Sequence, residues 1–422
     1  MNATKWLLSG ILAGLIGLAA AASPFLHGPY CGAPARNSIT ISWSSVLPVP
    51  ARVEYGLQAE FIASGLLRES VRLPAREGSS TVHVALKHLE PGTCYAYRVV
   101  LMDKDEELSS SVGCFHTAPE AGEPVRFAIL ADTQWQLQQA NVLQWVGDAI
   151  ASDPTPFDFI LHAGDIVERP SDVYWDHWFA SFGQMLLRAP FVPVLGNHEE
   201  NDDSYFETFS LPPGEGKESE QWWALHWGDV VVIGLDTNAR RGADIIAQQD
   251  WARNHLSGPE PHKFVIFHHP VYSSDSYRDT GTALEDTYHS IFVEHGVDIV
   301  LNGHSHHYER IACDGVTYLV LGGGGATPRR MQSEPIEQSK ALSAGHFFYT
   351  RINVSSNRVR VETVSVAELL ADGTVAQSSH SLDSFELPME TPEDSSPAAW
   401  IIFIAAIATG IVVFRLLDGL AD

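Results

Sequence analysis

Six nearly continuous apolar runs mark the middle of the chain: RFAILAD (126–132), FDFILHAGD (157–165), FVPVLGNHE (191–199), VVVIGLD (230–236), KFVIFHH (263–269) and VDIVLNGHSH (297–306). Each ends in polar residues. Strands covered on both faces read this way, because neither face alternates with solvent. Between them, segment 171–188 sets Trp175, Trp178, Phe179, Phe182 and Leu186 at helical spacing, the stripe of a core-facing helix. Residues 283–296 read as another helix. Strands alternating with helices make an α/β domain, whose chemistry belongs in the loops past the strand ends.

Upstream the period changes. SITISWSS places Ile39, Ile41 and Trp43 on one face, as in a half-buried strand. ARVEYG, STVHVALKHL, CYAYRVVL and SVGCFHT follow, split by turn residues. Short strands at this spacing predict an all-β sandwich over 28–118. TAPEAGEP (117–124) is the linker, and the catalytic domain is expected over 124–375.

The ends read differently. Lys5, an apolar stretch from Trp6 to Ala19 and Ala20-Ala21-Ala22 form a signal peptide over 1–22, cleaved or retained as an anchor. Residues 398–414 carry no charge and Arg415 follows; with Leu416 and Leu417 the run 398–417 reaches the length of a spanning helix. Trp400 and Arg415 suit its two interfaces. An acidic stalk, 376–397, precedes it. The expected location is therefore exported, at the cell surface or the periplasmic side, with the membrane as partner through the C-terminal helix. Four cysteines, 31, 94, 114 and 313, fit an oxidising compartment and allow three pairings as two bridges. Cys94–Cys114 is preferred because both fall on strands expected to be neighbours; a loop of that size is worth about 3 kcal/mol. With 422 residues and 45% hydrophobic content the chain can bury two cores, and its net charge of −26 excludes nucleic acid as a structural partner.

The polar ends of the apolar runs carry the chemistry. Asp132, Asp165, Asn197, His268, His304 and His306 are oxygen and imidazole donors that meet only if the fold gathers the strand ends. Two metal ions about 3.5–4 Å apart clamp both oxygens of an in-line phosphoryl displacement. A carboxylate bridges such a pair well, and Asp165 takes that part. Asp132 and His306 complete one metal; Asn197, His268 and His304 complete the other. This donor set suits Fe, Mn or Zn, with no thiolate bias toward a softer ion. An extended segment would turn the rings of His304 and His306 to the same side.

Read as ADTQ, GDIVE, GNHE, FHHP and GHSHHYER, with LGGGGA at 321–326, these motifs resemble the purple acid phosphatase branch of the calcineurin-like metallophosphoesterases over roughly 28–370. The resemblance implies a four-layer α-β-β-α sandwich behind a fibronectin type III-like module; LEPGTCYAYRV resembles such a module's tyrosine corner. It implies His198 as the catalytic acid, with Glu199 orienting its ring or solvated. Arg169, at the offset of a phosphate-clamping arginine in related protein phosphatases, is the implied clamp or else a surface charge; His269 and His307 flank ligands and either contact substrate or line the rim. Two positions depart from the family. Glu168 replaces the tyrosine responsible for the purple colour, which implies a protein that is not purple. Gln134 stands where other superfamily members place a histidine ligand. Both are possible extra ligands, or hydrogen-bond partners of the ligands.

The expected activity is hydrolysis of phosphate monoesters by attack of a metal-bound hydroxide, on phosphorylated small molecules or envelope components. Hydrolysis of diesters, nucleotides or lipid phosphates on the same site is the alternative. A non-catalytic surface binding protein is the third reading, and a dead scaffold would be expected to have lost ligands.

Overall fold

The computed structural model describes residues 23–75, 81–134, 141–239, 243–275, 281–329, 331 and 334–388. The expected signal peptide and spanning helix lie outside these residues. Among those described, no helix is long and apolar enough to cross a membrane.

All six apolar runs form strands, in two sheets. The six-stranded sheet runs Phe191–Pro193, Phe159–His162, Val125–Leu130, His346–Ser355, Arg358–Leu369, Val375–Pro388. Its first three strands are parallel; the last three form an antiparallel meander joined to Val125–Leu130. The eight-stranded sheet has a parallel centre of Val230–Gly234, His262–Ile266, Ile299–Asn302 and Val316–Leu321, with antiparallel strands on both sides.

Alternation along the second sheet shows the layering. Val230, Val232, Phe264 and Ile266 pack in one core with Phe127, Ile129 and the helices Val142–Ala151 and Asp172–Leu186. Val231, Ile233, Val265 and Phe267 point the other way, onto Ala252 and Leu256 of helix Ala243–Leu256 and onto Ile291 and Phe292. Burial on both faces is the physical reason these segments read as unbroken apolar runs. The stripe Trp175, Trp178, Phe179, Phe182 and Leu186 is buried as its spacing predicts, each side chain stabilising by about 1.5–3 kcal/mol. The helix expected over 283–296 contains a π-turn, Glu285–His289, between Gly281–Leu284 and Ser290–Glu294.

The N-terminal strands form a three-stranded and a five-stranded sheet around Ile39, Ile41, Trp43, Val53, Tyr97 and Val99. Tyr95 Oη accepts from the backbone N of Glu90 at 2.9 Å, the bond of a tyrosine corner. Strand Ser38–Ser45 is buried on both faces, not one: Thr40, Ser42 and Ser44 are covered as well. The module leans on the catalytic domain, with His27 stacked 4.3 Å from Phe179, Cys114 N donating to Leu187 O at 2.8 Å and His83 bonded to Glu207 O.

Two expectations are corrected. Residues 376–388 lie in the expected stalk, yet strand Val375–Pro388 pairs along the whole of Arg358–Leu369 as an edge strand. The Cys94–Cys114 bridge is not formed: all four cysteines are free. Their strands are indeed neighbours, but the register sets Cys94 opposite His116 and Cys114 opposite Ala96.

Candidate metal centre

Each ligand candidate sits just past a strand end. Asp132 follows Val125–Leu130, Asp165 follows Phe159–His162, Asn197 follows Phe191–Pro193, His268 follows His262–Ile266 and His304 follows Ile299–Asn302. Three of them, Asp132 (φ 58°), Asp165 (φ 58°) and His304 (φ 67°), hold left-handed backbone, a conformation that costs a non-glycine residue about 1–3 kcal/mol and persists where the surroundings enforce it. His304 is thus in a tight turn, not the extended segment expected. Gly164 (φ 83°) lets the Asp165 loop pass close to Gly196 N and His268; a Cβ there would lie 2.7 Å from that nitrogen.

The side chains converge in two groups that share Asp165. On one side, His268 Nε2 lies 3.1 Å from Asp165 Oδ2 and 3.1 Å from Asn197 Oδ1. His304 Nδ1 lies 2.9 Å from the same amide oxygen. Opposite, His306 Nε2 is 3.4 Å from Asp132 Oδ1, and the Gln134 amide sits 3.4 Å from Asp165 Oδ2 and 3.3 Å from His306 Nε2. Asp132, Asp165 and His268 offer donor atoms within 4.8 Å of one another, as do His268, His269 and His304.

These residues fit a pair of metal ions. Backbone carbonyls fix two rings: Ala163 O is 2.9 Å from His268 Nδ1 and Thr327 O is 2.9 Å from His306 Nδ1, which aims each Nε2 into the cluster. Two buried oxygens, Gln134 Oε1 and Glu168 Oε2, have no hydrogen-bond partner, although buried polar atoms are nearly always paired. They belong to the two positions where the motif departs from the family, and an ion satisfies such oxygens.

The electrostatics agree. Burial alone would raise the Asp165 pKa, but the His268 charge and hydrogen bond outweigh it and hold the carboxyl below its ordinary range. Burial opposes a charge on His268 too, and Asp165 overcomes it, pushing the ring up to about 9. His304 goes the other way: burial, then His268, lower it to about 4, so it stays neutral with a lone pair free.

His198 is half-buried at the edge of this cluster. Its Nδ1 bonds Glu168 O at 2.8 Å and its Nε2 stands 3.8 Å from Asp165 Oδ2. The expected role of Glu199 is corrected here. It is fully buried, does not orient the His198 ring, and accepts from the backbone N–H of Asp165, Ile166, Val167 and Gly196 at 2.8–3.2 Å. It ties the two ligand loops together. Arg169 is exposed and stacks over Tyr174, its Cζ 5.7 Å from the ring centroid. His269 and His307, expected to touch substrate, are both buried. His269 bonds Thr237 and packs its ring 4.6 Å from that of His304. His307 turns away from the ligands to Glu309, 3.2 Å from its Oε2, inside the protein.

Sequence reasoning missed the supports. Asp236 accepts from Asn201, Gln221 and the Asn238 backbone, and Asn238 Nδ2 donates to Gly196 O, so this network holds the loop that carries Asn197. The polar DTN that ends the VVVIGLD run was the available signal. Arg329 was also missed: its N donates to His306 O and its Nη1 to Asp275 Oδ2. No motif marked it.

Residues 125–308 match the family model described as calcineurin-like phosphoesterase. Purple acid phosphatase 15 of Arabidopsis thaliana is 26% identical over 294 residues, covering 58% of this chain and 53% of that protein; the chain spans about half the length of that relative. Acid phosphatase type 7 of Homo sapiens is 23% identical over 351 residues, covering 71% of this chain and 73% of that protein. The structure of a purple acid phosphatase from yellow lupin (Lupinus luteus) seeds superposes with a TM-score of 0.68 and 18% identity, covering 87% of this chain and 76% of that chain. At that identity the likeness is one of fold.

Proposed function

We infer that this chain, which carries a calcineurin-like phosphoesterase domain and is homologous to the purple acid phosphatases, hydrolyses phosphate monoesters on the outer side of a membrane. It is a metal-dependent phosphoester hydrolase by its domain and its relatives. The observation that carries the finer reading is the convergence of six donor side chains from five strand ends in two groups that share Asp165.

Asp132, His306 and Asp165 would hold one ion, with Gln134 and Glu168 beside it; Asp165, Asn197, His268 and His304 would hold the other. Ions so held supply Lewis acidity and a nucleophile at neutral pH. The protein's own residues then have distinct tasks. Asp165 keeps the two halves at fixed separation. His198, anchored through Nδ1 to Glu168 O, presents Nε2 as the proton donor to the leaving oxygen. Asp165 and the Glu168 carbonyl outweigh its burial and raise its pKa, which keeps that proton in place. Arg169, free of carboxylate pairing among the described contacts, offers a guanidinium fork to the phosphate. The outer location and the C-terminal anchor rest on the apolar segments 6–19 and 398–417.

The test is hydrolysis of p-nitrophenyl phosphate against bis-p-nitrophenyl phosphate by residues 24–390, with Mn, Zn and Fe supplied in turn. Preference for the monoester supports the proposal. Preference for the diester moves it to a phosphodiesterase, and no turnover with any metal overturns it.

A further inference from the structure

At the far end of strand Tyr308–Cys313 from the His304–His306 turn, a separate set of donors converges. The strand runs into Val316–Leu321 through Asp314 (φ 49°) and Gly315 (φ 85°), the positive φ pair of a two-residue type I′ hairpin. Against this turn lies the π-turn Glu285–His289. Such turns are rare and frequent at functional sites, and this one delivers His289 to the hairpin. The ring of His289, the thiol of Cys313 and the carboxylate of Asp314 bring their donor atoms within 4.8 Å of one another.

We propose that His289, Cys313 and Asp314 form a mononuclear metal site of the zinc class, distinct from the pair at Asp165. Bonds of about 2.0–2.3 Å in a tetrahedron set donor atoms about 3.3–3.8 Å apart. His289 Nε2 and Asp314 Oδ2 are already 3.1 Å apart, and the thiol lies within 4.8 Å of the donor atoms of both residues. The ring is pre-aimed: Nδ1 is bonded to Tyr318 Oη at 2.7 Å, leaving Nε2 for the ion, the arrangement that sets tautomer and direction in metal-bound histidine. Tyr272 Oη, 3.7 Å from Cys313 Sγ and 2.9 Å from Glu285 Oε1, places a hydroxyl against the sulfur and links it to a second carboxylate. A hairpin turn requires only a residue that tolerates left-handed backbone, which asparagine does equally; a carboxylate beside an imidazole and a thiol goes beyond that need. Mixed N, S and O donors select a borderline-soft ion over the hard ones. Bound there, the ion pins the hairpin to the π-turn and masks the thiol.

Cobalt substitution of the full chain reads this site without reference to hydrolysis. Chelator-stripped protein reloaded with Co²⁺ is expected to show a sulfur-to-cobalt charge-transfer band. The band should vanish in Cys313→Ser, weaken in His289→Gln, and persist in Cys94→Ser and Asn197→Ala. Zn²⁺ should also slow alkylation of Cys313 at least tenfold, followed at the peptide level, while Cys94 stays reactive. Absence of the band, its survival in Cys313→Ser, or equal alkylation of Cys313 with and without Zn²⁺ would overturn the proposal.

Discussion

In protein stripped of metal, the buried His268–Asp165 pair should make stability fall as pH rises through the neutral range. His268 is pushed up to about 9 because Asp165, 3.1 Å away, outweighs the burial that opposes its charge. The unfolded ring titrates near 6.5. A group whose pKa is raised on folding gives stability that is fully present below the unfolded value and is lost as pH climbs through the folded one. A gap of about 2.5 pH units, at 1.36 kcal/mol each, is about 3 kcal/mol. Both side chains are buried, so solvent screens little of it. Urea denaturation of chelator-treated wild type and Asp165→Asn at several pH values isolates the pair. The excess stability of the wild type should be greatest at about pH 6.5 and shrink by about 3 kcal/mol by about pH 9.5. The proton on His268 must also leave before Nε2 can coordinate, so metal loading at pH 7.5 should release about one proton from this ring, measurable by calorimetry in buffers of different ionisation heat. A wild-type excess that is equal at both ends of the range, with no proton released, would refute the reasoning.

Three other outcomes follow from the same geometry. His198→Ala should lower kcat by about 10²–10⁴ with bound metal unchanged by elemental analysis; loss of metal would assign the ring to coordination instead. Gln134→Ala should weaken the ion on the Asp132 side by about 10–100-fold, seen as one faster phase of release to a chelator while the other phase keeps its rate. Glu220, raised to about 7 by burial, loses stability as pH rises from its unfolded value toward 7. Glu220→Gln keeps an acceptor for Leu211 N, so it should leave the melting point unchanged at about pH 4.5 and stabilise by about 1–2 kcal/mol at pH 8, a figure discounted for partial exposure.

The catalytic sheets were readable because strands such as Val230–Gly234 are buried on both faces and leave an unbroken apolar signature. The six donors were readable because strand ends are where this architecture collects polar groups. Tertiary context hid the rest. Segment 376–388 is polar along much of its length because it belongs to an edge strand with one solvated side, so composition alone resembled a stalk. The cysteines share neighbouring strands, but a register offset of two residues is invisible to spacing. His307 follows two inward-facing histidines in a turn, where period-2 reasoning fails. Glu199 is charged and stands in a loop motif, and only the fold reveals that four backbone N–H groups surround it.

The central claim, that Asp165 bridges two ions held by Asp132, Asn197, His268, His304 and His306, is tested most directly by anomalous diffraction from crystals of the metal-loaded protein. Two peaks about 3.5–4 Å apart are expected, both in contact with the Asp165 carboxylate. A single peak, or ions that do not touch Asp165, would contradict it.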